Sequence, residues 1–161
     1  MKPPRTAPFF VPGETITLTR NGLWLADGVE ISHTPTRLLF AKSLKKDQDG
    51  YFIRVGDEAK RIIVEDTPYF VQRLERAPDG VITLFLNDES LHKLRPDTLQ
   101  YSPARLTCEV HQGEKAKFLT AAYFDLLKDL QEDEETYYLT LMTLGKPARI
   151  VLSYKNNLSS D

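Results

Sequence analysis

The chain has 161 residues, a net charge of −2, and 41% hydrophobic against 27% charged residues, a balance that buries a core rather than staying disordered. A single cysteine, Cys108, excludes an internal disulfide framework and a cysteine-rich zinc site. The basic residues make no stripe that could track phosphates, Lys45-Lys46 being the longest run and Lys115 and Lys117 standing apart, so neither nucleic acid nor an anionic membrane is an expected partner.

The chain opens on a Pro-rich tail, residues 1–14, which lacks the pattern of a signal peptide, and no stretch approaches the roughly 20 apolar residues of a membrane span. A cytoplasmic setting is the expectation. Thr15 to Thr19 alternates in the manner of a strand, and Asn21-Gly22 before Leu23-Trp24-Leu25 predicts a hairpin with both turn residues at positive φ. Thr34-Pro35 predicts a helix start, Thr34 capping the free amides. Phe40, Ala41 and Leu44 fall at helical spacing, and Gly50 closes the segment. Tyr51 to Val55 and Ala59 to Val64 then read as two strands around Gly56-Asp57, and Tyr69 to Leu74 and Val81 to Leu86 as two more around Pro78-Asp79-Gly80. The last of these is apolar on both faces, which predicts cover on both sides.

Residues 87–104 read as an irregular connection with a helical turn at Ser90 to Leu94. The alternation of Leu106, Cys108 and Val110 predicts a strand. A helix from Thr120 shows the apolar stripe Tyr123, Leu126, Leu127 and Leu130. The strands Tyr137 to Leu141 and Ala148 to Ser153 flank Gly145-Lys146-Pro147, and a polar tail closes the chain at 155–161.

The halves repeat. Thr34, Phe40, Leu44, Tyr51, Ile53 and Val55 match Thr120, Leu126, Leu130, Tyr137, Leu139 and Leu141 at a constant offset of 86 residues, and Arg61-Ile62 matches Arg149-Ile150 after a two-residue insertion. The expected class is therefore α+β, with mainly antiparallel sheets in two tandem strand–helix–hairpin units packed together with a central hairpin. The units are placed at 15–86 and 105–154, joined by 87–104. One such unit is too small to cover both faces of its own sheet.

An ordered string of residues in the first half carries a resemblance. It runs from Gly22-x-Trp24, Gly28 and Ile31 through Leu39-Phe40, Leu44 and Asp49-Gly50-Tyr51 to Glu58, Arg61-Ile62, Val64-Glu65-Asp66 and Pro68-Tyr69. Over residues 22–71 the chain resembles the bacterial family of domain of unknown function 1285; the second half matches loosely, through Tyr123 and the closing strands. The resemblance implies a two-unit α+β fold, a bacterial cytoplasmic protein and no known chemistry, with ligand sensing or signalling as an analogy of fold. His33, Gly56 and Ala59 depart from the arginine, proline and lysine usual there, which implies weaker hold on an anionic ligand if the family uses those positions for one.

Few residue patterns in the chain match a known chemistry. Setting Gly50 at position six of a calcium loop puts Lys45 at one and Gly56 at twelve, so that motif fails. His33, His92 and His111 show no paired spacing for a metal, Cys108 reads as a core thiol, and no Gly-rich phosphate loop occurs, so no catalytic set, metal or cofactor is expected. What remains is a charged strand face: Arg61, Ile63 and Glu65 share one side of the predicted strand, with Glu58, Asp66 and Tyr69 near it in sequence. Trp24, His33, Glu58, Arg61, Glu65, Asp66 and Tyr69 are the candidate contacts for a small polar ligand or a protein partner. The leading expectation is a non-catalytic binding or regulatory module. A small hydrolase or transferase using Glu58 or Asp66 is one alternative, and a homodimer built on Val81 to Leu86 is another.

Overall fold

A computed structural model describes residues 9–157. Strands dominate, with two α-helices among the described residues, and the sheets are mainly antiparallel, so the class is α+β. The contacts divide the chain into two compact units, Met1–Pro68 and Tyr69–Asp161, so the hairpin that follows Pro68 falls in the second. The predicted tails overlap the undescribed residues 1–8 and 158–161.

The first unit contains strands β1 (Ile16–Leu18), β2 (Trp24–Ala26) and β3 (Val29–Glu30), helix α1 (Thr34–Lys42), then β4 (Leu44–Asp47), β5 (Gly50–Val55), β6 (Glu58–Arg61) and β7 (Ile63–Val64). Strands β3, β2, β1 and β7 form one sheet in that order, with β7 parallel to β1; β4, β5 and β6 form a separate antiparallel meander. Ile16, Leu18, Trp24, Phe40, Leu44 and Ile53 are buried in this unit.

Several local expectations change here. The first hairpin keeps its place, but within its turn Gly22 alone has positive φ (84°), and Thr19 N–H bonds Leu23 O at 2.8 Å. This is a three-residue loop closed by a left-handed residue rather than a two-residue turn. His33, not Thr34, stands at the N-cap of α1, without a side-chain cap bond; Thr34 Oγ1 accepts from Arg37 instead (2.9 Å). The helix ends at Lys42, and Leu44, expected on its apolar stripe, begins β4 opposite Ile53.

The predicted strand from Ala59 to Val64 is two strands. Arg61 ends β6, paired to β5, while Ile63 begins β7, paired to β1 in the other sheet. Arg61 and Glu65 therefore do not share one strand face.

The second unit contains β8 (Tyr69–Arg76), β9 (Ile82–Leu86), β10 (Leu91–Lys93), a 3-10 turn at Pro96–Thr98, β11 (Gln100–Ser102), β12 (Arg105–Glu109), a 3-10 turn at His111–Gly113, β13 (Lys115–Phe118), helix α2 (Thr120–Leu127), and β14 (Gln131–Glu132), β15 (Thr136–Thr143) and β16 (Lys146–Tyr154). Six strands pair in the order β10, β9, β8, β13, β12, β11, antiparallel except where β13 runs parallel to β8; β14, β15 and β16 make an antiparallel meander. The core gathers Val71, Leu74, Leu84, Leu86, Leu106, Cys108, Phe118, Leu126 and Leu139.

The helical turn expected at Ser90 to Leu94 is instead strand β10. Leu86 N–H bonds Ser90 O (3.0 Å) across a three-residue loop of the same design as the first hairpin, but its left-handed position holds Glu89 (φ 65°) rather than glycine. The usual turn residue is absent, which hid the hairpin from the sequence. Strand β13 also went unpredicted. Strand β9 buries Ile82, Leu84 and Leu86 on one side, whereas Phe85 on the other is half-buried beneath the Arg73 guanidinium, 3.5 Å from its ring centre. Both backbone edges of β9 are occupied, by β8 and β10, so it offers no free edge for strand-to-strand dimerisation. Among the described residues no helix is long and apolar enough to cross a membrane.

Candidate functional site

The antiparallel register of β5 and β6 sets Phe52 opposite Arg61 and Arg54 opposite Ala59. Alternation along the strands then puts these four side chains on one face, while Ile53, fully buried, points the other way. That outer face forms an open groove of about 170 Å3, lined by Asp47, Phe52, Arg54, Ala59, Lys60 and Arg61. The guanidinium carbons of Arg61 and Arg54 stand 5.1 and 5.7 Å from the centre of the Phe52 ring, within reach of its negative face.

Arg61 is fixed by a forked contact. Its Nη1 donates to Asp47 Oδ1 (2.7 Å) and to Gly50 O (3.1 Å), and its Nη2 to Asp47 Oδ2 (2.5 Å). The hydrogen bond from Arg61 holds the Asp47 carboxyl below its ordinary value, and Asp47 in turn raises the arginine. A guanidinium carries five N–H donors, so this arrangement leaves one on Nε and one on Nη2, the latter 3.9 Å from Asp49 Oδ2.

The other candidate residues take separate places. Trp24 is buried, its ring edge-on to Phe40 with centroids 5.5 Å apart, and belongs to the core of the first unit. Exposed His33 bonds Thr36 Oγ1 through Nδ1 (2.7 Å). Glu58 accepts the backbone N–H of Phe9 on both oxygens (2.8 and 3.0 Å) and that of Phe10 on one (3.5 Å). Its carboxylate therefore ties the N-terminal segment down, while the rings of Phe9 and Phe10 pack 6.2 Å from Phe40. Glu65 Oε1 accepts from Arg20 N (3.0 Å). Asp66, half-buried, follows β7. Tyr69 opens the second unit, where its ring lies 4.9 Å from that of His111, and burial raises its phenol pKa.

Phe52, Arg54 and Asp47 were missed from sequence. The two-residue spacing of Phe52 and Arg54 on a strand was a usable signal; the Asp47 contact, made across a turn, was not.

Cys108 is fully buried, and burial pushes its thiol up to about 12, so it is a core thiol. Among the described residues, no group of three or more His, Cys, Asp or Glu side chains is arranged to hold a metal ion.

Two solved structures share the architecture. One is a DUF1285 family protein from Silicibacter pomeroyi DSS-3, 19% identical, with a TM-score of 0.68 over 89% of this chain and 81% of its own. The other, a DUF1285 family protein from Shewanella baltica OS155, is 22% identical, with a TM-score of 0.58 over 72% of this chain and 92% of its own. The chain has a DUF1285-like fold. That likeness agrees with the resemblance carried by residues 22–71 and assigns no activity. No family model and no curated protein matches the sequence.

Proposed function

We propose that the chain is a non-catalytic binding or regulatory module of the bacterial cytoplasm, which takes a small anionic ligand on the outer face of hairpin β5–β6. The observation that carries this reading is the groove itself, where Arg54 and Arg61 flank Phe52 with Asp47 as the opposing carboxylate, while Lys60, opposite inward-facing Ile53, sends its ammonium to Val11 O (3.3 Å). An anion there would meet the unused donors of Arg61 and the guanidinium of Arg54, while the Phe52 ring offers a flat apolar wall. Arg61 is the contact retained from the sequence reading. Glu58 and Glu65 are outside the groove lining, their carboxylates accepting from the backbone amides of Phe9 and Arg20. The enzymatic alternative through Glu58 loses ground because both of its oxygens are engaged by a backbone amide.

The proposal includes the duplication. Each helix is followed by a three-stranded meander, β4–β5–β6 after α1 and β14–β15–β16 after α2. In each meander an arginine of the third strand pairs with an aspartate at the first turn and lies over an aromatic ring of the middle strand. The sets are Arg61, Asp47 and Phe52, and Arg149, Asp133 and Tyr138.

Native mass spectrometry of protein purified gently from a bacterial host tests the reading. A retained anionic small molecule that is lost from the Arg54→Ala/Arg61→Ala double variant supports it. A molecule that survives the double substitution overturns the site, and bare protein shifts the reading to a protein partner.

A further inference from the structure

His92 and His111 are distant in sequence but meet in the second unit. His92 lies on β10, an edge strand of the six-stranded sheet, and His111 begins the 3-10 turn between β12 and β13. Their Nε2 atoms are 3.1 Å apart, and the rings meet edge to face with centroids 4.1 Å apart. Ser90 Oγ stands 3.1 Å from His92 Nε2 and 3.3 Å from His111 Nε2, and also donates to Asp88. Asp88 Oδ2 is 3.5 Å from His111 Nε2, and both histidines are half-buried.

An N···N contact of this length needs one nitrogen bearing a proton and the other bare. Protonating both rings would turn two N–H groups toward each other and set two like charges in contact. We propose that the His92–His111 pair is a proton-operated latch, which holds the Asp88–Ser90 turn and β10 against the His111–Gly113 turn at neutral pH and lets them part in acid.

The groups facing the pair are consistent with this. On the turn before β10, Asp88 draws His92 toward protonation, but burial and the neighbouring His111 outweigh it and lower the His92 pKa. From β8, Tyr69 packs on His111 as a neutral phenol, raised by burial and by the charges of Asp88 and of Glu114, which follows the 3-10 turn. With the folded value depressed, the unfolded chain takes the proton first as pH falls. The stability from the neutral pair is whole above about 6.5, the ordinary histidine value, and is lost as pH falls through the lower folded value. The latch is independent of the β5–β6 groove, which lies in the other unit.

The test is an imidazole NMR titration of the full chain from about pH 8 to about pH 5, a range spanning the ordinary histidine pKa, with amide hydrogen exchange across the same range. His92 should titrate below the ordinary value, higher in His111→Gln and lower still in Asp88→Asn. The Leu86 amide, bonded to Ser90 O, and the Glu114 amide, bonded to His111 O, should exchange faster below the His92 midpoint after correction for intrinsic rate. In His92→Gln that acceleration should vanish. An ordinary His92 titration in the unsubstituted chain overturns the proposal without any variant needing to fold. A His92 midpoint unmoved by His111→Gln, or acceleration that persists in His92→Gln, does the same.

Discussion

Gly80 offers a prediction whose two parts can be separated. The residue closes the turn between β8 and β9 at φ +87°, with Gly80 N–H bonded to Ala77 O (2.9 Å). A Cβ built there would lie 2.5 Å from Met142 Cγ, on β15. Gly80→Ala therefore brings a left-handed backbone penalty of roughly 1–2 kcal/mol. It also brings an overlap that must open by about 1 Å to reach ordinary carbon contact, at a further cost of about 1–2 kcal/mol because methionine can partly rotate away. The expected loss is about 2–4 kcal/mol in urea unfolding followed by far-UV circular dichroism, read on the transition of the second unit, since two compact units need not melt as one. Met142→Ala removes the overlap and leaves the backbone penalty. The double variant should therefore be more stable than the sum of the single losses predicts, by about 1 kcal/mol or more. A Gly80→Ala loss below about 0.5 kcal/mol would refute the left-handed turn, because even the backbone penalty exceeds that. Strict additivity within about 0.5 kcal/mol would refute the contact with Met142.

Other outcomes follow from the same geometry. Trp24, the single tryptophan, should emit as a buried indole and resist acrylamide quenching; Trp24→Ala should cost about 3–5 kcal/mol, and ready quenching of the native protein would contradict its place in the core. Cys108 should react with a thiol reagent near neutral pH only as fast as the second unit opens, so a rate independent of denaturant would contradict its burial and its raised pKa. Asp125 on α2 accepts from Arg76 of β8 (2.7 Å), and this bond lowers its pKa. The stability from that pair is present above the ordinary carboxylate value and lost as pH falls through the lower folded one, so Asp125→Asn should flatten the acid limb of the stability–pH curve; an unchanged limb would show that the pair adds nothing.

How far the sequence could be read depended on whether a signal was local. Strands β1, β5, β12 and β15 announced themselves by alternation and β8 by a run after Pro68, and Pro78-Asp79-Gly80 marked a turn that the structure keeps. Strand β4 was hidden because Lys45, Lys46 and Asp47 are exposed, leaving only Leu44 to report an inward face. Strand β10 was hidden by Glu89 in a position that favours glycine. The break at Ile62 was illegible for a different reason: Ile62-Ile63-Val64 is an unbroken apolar run, through which the two-residue alternation of a single strand can be drawn from Arg61 to Glu65, and the chain changes sheets without a proline or glycine to mark it. The charged face inferred from that alternation divided accordingly, Arg61 turning to Asp47 and Glu65 to Arg20.

The duplication proposed above rests on composition at matched positions as well as on a pattern of strands. The offset of 86 that relates Tyr51 to Tyr137 also relates Asp47 to Asp133 and Phe52 to Tyr138. Only the arginines, Arg61 and Arg149, stand two residues off it. The ladders differ too, since Arg61 faces Phe52 whereas Arg149 faces Thr140, two residues beyond Tyr138. Arg149 nevertheless lies 3.7 Å from the centre of the Tyr138 ring and pairs with Asp133. A guanidinium that must meet both an aromatic ring and a carboxylate at the neighbouring turn is constrained in a way that strand pairing alone is not. The proposed common origin of the two meanders therefore rests on that shared arrangement more than on their shared strand count. The two meanders also separate two roles of the arrangement. In the second meander Arg149 also donates to Thr136 Oγ1 (3.2 Å), whereas Arg61 borders the open groove with Arg54 and Lys60. If the arrangement arose to brace a meander, the ligand role proposed for Arg61 was added in the first unit, and its test is whether Arg61→Ala abolishes retention of an anion that Arg149→Ala leaves bound.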